Sequence, residues 1–144
     1  MTSFKPISAT AATLSLTMAT HGGATVVANR AAGITMTLPA ASGTGVKFKV
    51  VVGTTVTSNS LKVQVANATD IMTGTATFGQ DAADTAVLFE TASDSDTITM
   101  NGSTTGGIKG DIIELEDIAS GLWSVTVLGS AAGTEATCFS AAVS

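Results

Sequence analysis

The chain has 144 residues and a mass of 14.2 kDa, enough for one domain with a real core. Hydrophobic residues make up 44% and charged residues only 12%, which excludes a disordered chain and leaves few groups for catalysis. Net charge is −5 but unevenly spread: residues 1–69 carry five cations and no acid, whereas residues 70–144 carry all eleven acids and only Lys109. Such asymmetry points to interaction, either between copies or between the two halves of one fold.

In chain order, residues 1–12 are small and polar around Phe4, Lys5 and Ile7, and are expected to form an N-terminal arm. A single β domain is expected over 13–144. Leu14, Leu16 and Met18 alternate with Thr and Ser, as do Ile34, Met36 and Leu38 up to Pro39. This period of two marks half-buried strands. Val46, Phe48, Val50 and Val52 follow, with Lys47 and Lys49 on the opposite, solvent face. Further strands are expected at Leu61–Ala66, around Ala76 and Phe78, at Val87 and Phe89, at Ile98 and Met100, over 111–118 and over 122–128. Turn residues such as Gly22-Gly23, Ser58-Asn59-Ser60 and Asn101-Gly102 fall between them. The expectation is an all-β chain, an antiparallel sandwich or barrel of about nine to ten short strands.

Few residues of the chain could carry chemistry. One cysteine, Cys138, excludes an internal disulfide, and with His21 as the sole imidazole it leaves no Cys-rich zinc site. A nucleophile elbow is absent. The stretch from Gly102 to Gly110 imitates a phosphate loop, but Lys109 is one place late and Gly110 stands where Ser or Thr would hold magnesium. Asp94 with Asp96, and Glu114 with Glu116, have strand spacing compatible with paired carboxylates, an arrangement ordinary on any solvated sheet. The expectation is no enzyme, no cofactor and no metal. Five scattered cations with few aromatics argue against a nucleic-acid partner. No charge-free stretch is apolar enough to span a bilayer, and residues 1–19 are too polar for a signal peptide, so no membrane partner and synthesis in the cytoplasm are expected.

Several phrases carry a resemblance. They are His21-Gly22-Gly23 with residues 26–29, Thr37-Leu38-Pro39-Ala40-Ala41-Ser42-Gly43-Thr44-Gly45, and residues 51–60. Val65-Ala66-Asn67-Ala68-Thr69-Asp70, residues 94–102 and Gly133-Thr134-Glu135-Ala136-Thr137 complete the set. Over residues 20–142 the chain resembles small β-rich virion proteins of tailed bacteriophages, and in role it looks like a capsid decoration (cement) protein. The resemblance implies a non-enzymatic homotrimer on the outer surface of the virion, bound to the major capsid protein of an assembled head. The alternative role is a tail, head-fibre or receptor- and glycan-binding module. The phrases mark turns and strand edges, so they carry over no site residue. From the chain itself, Phe4, Lys5, Ile7, Lys47 and Lys49 are the expected partner-binding residues.

Overall fold

The structure is a computed structural model that describes residues 5–143; Phe4 of the expected partner-binding set lies outside them. Among the described residues twelve strands form two sheets, a larger one of seven strands and a smaller one of five. Apolar residues at every second position bury one face of most strands, and the buried faces of the two sheets meet in one core, with Leu14, Val87 and Phe89 at its rim. At its centre Phe48 and Trp123 lie 5.8 Å apart between ring centroids, both buried.

The N-terminal half winds between the sheets. Strands β1 (Ile7–Ala9), β3 (Thr25–Ala28) and β5 (Lys47–Val52) lie side by side in the larger sheet, all parallel. Strands β2 (Thr13–Ser15), β4 (Thr35–Thr37) and β6 (Leu61–Gln64) do the same in the smaller one. Each strand is thus followed by a crossing to the opposite sheet, as in a two-sided β-solenoid. The C-terminal half completes both sheets. β7 (Ile71–Gln80) and β8 (Ala86–Glu90) form a hairpin at the far edge of the larger sheet. β9 (Thr97–Met100) joins β6, and β10 (Ile112–Ala119) and β11 (Leu122–Ala131) fill the gap between β5 and β7. β12 (Phe139–Ser140) ends the smaller sheet beside β9.

The all-β, two-layer expectation holds, with two corrections. The strands number twelve, not nine to ten, because β1, β3 and β12 are too short or too evenly apolar to show alternation. The arrangement is mixed rather than antiparallel, with five parallel pairings beside five antiparallel ones. Both sheets keep two edges, so the fold is an open sandwich and not a barrel. Of the expected arm, Ile7–Ala9 is docked as the edge strand β1 of its own chain.

A third difference is local. Leu14 and Met18 do not share one strand, because the helical turn α1 (Met18–His21) intervenes. Thr17 caps it by accepting from the Thr20 N–H, and Gly22 ends it. Met18 is therefore exposed, while His21 is buried with Nδ1 accepting from the Thr17 N–H at 3.0 Å. That bond leaves the ring proton on Nε2 and makes His21 a structural residue of the turn.

Candidate functional site

Alternation that buries one face of the larger sheet presents the other to solvent, in three rows running across the strands. The first row is Lys47, Glu116, Ser124 and Thr73 on β5, β10, β11 and β7. The second is Thr25, Lys49, Glu114, Thr126, Thr75 and Glu90, from β3 to β8. The third is Ser8, Val27, Val51, Ile112, Leu128, Thr77 and Leu88, which crosses all seven strands. Five of its seven members are aliphatic, and Leu128 and Leu88 are 54% and 59% exposed. A charged and hydroxyl-bearing band thus lies beside an aliphatic one on a face roughly 30 Å wide at ordinary strand spacing.

A shallow depression of about 410 Å³ lies on the charged band, lined by Thr25, Lys47, Lys49, Glu114, Glu116 and Thr126 among others. Lys47 and Lys49 occupy the solvent face, as alternation requires. Each stands opposite an acid of its own chain: Lys49 opposite Glu114, and Lys47 opposite Glu116 with Nζ to Oε1 at 3.5 Å. Part of the charge asymmetry between the halves is therefore neutralised within the fold. An exposed pair of this kind contributes at most about 1 kcal/mol, so it orients the side chains more than it stabilises the sheet. Of the other expected partner-binding residues, Ile7 is half-buried in β1 and Lys5 is exposed just ahead of it. The structure brings together Lys47 and Lys49, and sets Lys5 and Ile7 apart from them at the β1 edge.

The remaining titratable groups are mostly structural. Asp96 is buried and accepts from Thr97 Oγ1 and from the Ala142 and Val143 N–H groups, while Asp94 is exposed in the preceding turn, so the two share no face. Asp70 accepts from the Ala41 N–H at 2.8 Å. Asp111 holds the Gly107, Ile108 and Ser130 N–H groups, which places its carboxylate where a phosphate-binding loop would need its own amides free. Burial raises the Asp111 pKa, and these bonds offset it only in part. Asp117 accepts from the Ser42, Gly43 and Thr44 N–H groups and from the Thr44 hydroxyl. Its burial pulls upward, but the converging donors win and hold its pKa below the usual value.

These four buried aspartates were not read from the sequence as a set. Each clamps a loop or the C-terminal segment onto the sheets. Among the described residues no group of three or more His, Cys, Asp or Glu side chains is placed to hold a metal ion, and no helix is long and apolar enough to cross a membrane.

Cys138 is buried, and burial pushes its thiol up to about 12. The thiolate needed for reaction is then scarce at neutral pH. Native protein is expected to leave a chromogenic disulfide reagent untouched for hours and to release one equivalent on adding denaturant. Rapid release before unfolding would place the thiol at the surface.

Comparisons with protein-family models, with curated proteins and with solved structures found no match to this chain.

Proposed function

We propose that this protein is a non-enzymatic capsid decoration protein of a tailed bacteriophage, binding the major capsid protein of the assembled head as a homotrimer. The supporting observation is the outer face of the larger sheet. It is broad and shallow, with an aliphatic row beside a band of compensated charges. Such a face suits a wide, flat protein partner better than a small ligand, which takes a concave and largely enclosed site. The buried aspartate clamps favour the same reading, since they stiffen loops that would otherwise lose entropy on docking.

Three linked copies engage several capsid subunits at once, and after the first contact the others bind at an effective concentration in roughly the millimolar range. Modest contacts through Val51, Ile112, Leu128 and the Lys47–Lys49 band then suffice for lasting occupancy. Because only the assembled lattice presents all the contacts, binding stabilises that lattice by mass action. The protein would be made in the host cytoplasm and reside on the outer surface of the virion. A tail or head-fibre role is the second reading, favoured by the solenoid-like winding of β1 to β6, a geometry suited to elongated parts.

The test mixes purified protein with undecorated heads, expanded and unexpanded, and heats both. Saturable binding to expanded heads with a raised rupture temperature is expected, and Leu128→Lys should weaken it without lowering the melting temperature of the free protein. Binding to tails or to cell-surface glycans, with none to heads, would reject the decoration reading in favour of the fibre one.

A further inference from the structure

The far edge of the larger sheet is β8, and its sequence Ala86-Val87-Leu88-Phe89-Glu90 is apolar on both faces. Val87 and Phe89 pack at the rim of the core and stay half-exposed, with Phe89 against Phe78 at 6.2 Å, while Leu88 is among the most exposed apolar side chains described. An uncovered edge strand with a run of four apolar residues is a template for pairing, and folded proteins usually shorten, charge or cover such edges. Here β7 covers only the inner side of the strand. Charges sit at its ends alone, Asp81 and Asp84 in the preceding turn and Glu90 at the last position.

The opposite edge of the same sheet is β1, and its surroundings have the opposite sign. Lys5 stands just ahead of it, and the Arg30 guanidinium reaches the Thr10 carbonyl just beyond it. Following the pairings across the sheet, β1, β3, β5, β11 and β7 run one way and β10 and β8 the other. A neighbour in the same orientation therefore offers its β1 antiparallel to β8. Continuing the aliphatic row sets Leu88 opposite Ser8. Glu90 then falls beside Pro6 and Lys5, and Ala86 beside Thr10, with Asp84 toward Arg30. Acid meets base at both ends of the junction.

We propose that β8 of one copy pairs antiparallel with β1 of the next, so that the larger sheets join edge to edge. The interface is heterologous, and it forms a closed ring where the rotation returns to the first copy and a filament where it does not. That the ring closes at three copies rests on the trimer reading above; the pairing does not.

The experiment introduces Ser8→Cys and Leu88→Cys together and oxidises the protein under native conditions, with each single variant as a control and light scattering on the unmodified chain. Residues directly opposite in adjacent strands are close enough for a disulfide or a short thiol linker, and the native Cys138 is buried. The expected result is a covalent ladder in the double variant that stops at three, no trimer in either single variant, and a trimeric mass in solution. A trimeric mass without cross-links would overturn the edge pairing alone. A ladder running past three would keep the pairing and overturn closure at three copies. A monomer at every concentration, without cross-links, would overturn both.

Discussion

Replacing Trp123 with alanine is expected to lower the unfolding free energy by about 4 kcal/mol, the largest effect of any single core truncation in this chain. Trp123 is fully buried on β11, directly against Phe48, and is the largest of the buried side chains. Truncation removes both its transfer energy and the packing of Phe48, and strands held from both sides cannot collapse into the space. For a domain of this size the melting temperature should fall by roughly 10–15 °C. Trp123→Phe should cost far less. The indole Nε1–H is buried with no acceptor among the described residues, and removing an unpaired donor recovers about 1–3 kcal/mol against the smaller ring's loss of contact. Thermal unfolding of the two variants checks this. Equal losses would mean that the indole N–H has a partner, and a small loss in the alanine variant would place Trp123 outside the core.

Large, regular cores make some strands of this fold legible in the sequence, whereas the direction of their neighbours is not. Alternation located β5 and β11 well because their cores are large and regular, Phe48 and Val50 in one and Trp123, Val125 and Val127 in the other. It also placed Lys47 and Lys49 outward. It could not reveal that β3 is parallel to β5, because a strand's own pattern is the same whichever way its neighbour runs. Parallel pairing here follows from loops that cross to the other sheet, such as 29–34 and 53–60, and loop direction has no residue signature. At α1 the alternation through Leu14, Leu16 and Met18 was broken by a local signal, Thr17 as a cap before Met18-Ala19-Thr20. That cap competed with the strand pattern and prevailed for one turn. The three outer rows were out of reach for a different reason. Each is assembled from residues on four to seven strands whose order in the sheet is not their order in the chain.

One part of the structural machinery was within reach. Along β10 and the residue just before it, Asp111, Ile113, Leu115 and Asp117 share one alternating face, and Ile113 and Leu115 belong to the core. Two aspartates on a core face must each find donors, since a buried carboxylate without them is strongly disfavoured. Among the three residues after Ala41, Ser42-Gly43-Thr44 offers Asp117 a concave run of backbone N–H groups, with Gly43 at φ 78° permitting the turn.

Asp117→Ala leaves that run of donors without its acceptor and is expected to cost on the order of 3 kcal/mol, or roughly 10 °C in melting temperature. Asp117→Asn should cost less, because the amide keeps one oxygen for Gly43 but turns an NH2 toward the remaining donors. The pH dependence separates this carboxylate from its neighbour. The Asp117 pKa is lowered in the folded state, so its contribution is present above the unfolded value of 3.8 and is lost as pH falls through the folded value. The stability difference between the native chain and Asp117→Asn should therefore be constant at neutral pH and shrink below about pH 4. For Asp111 the sign is reversed. Its folded pKa is raised, so the native state holds the proton longer than the unfolded chain, and its contribution falls as pH rises from 3.8 through the folded value. Urea unfolding of the native chain and of each asparagine variant across pH 3–7 reads both slopes. A difference for Asp117→Asn that grew toward acid would mean that its cage favours the protonated carboxyl, against the geometry of four donors converging on one acceptor group.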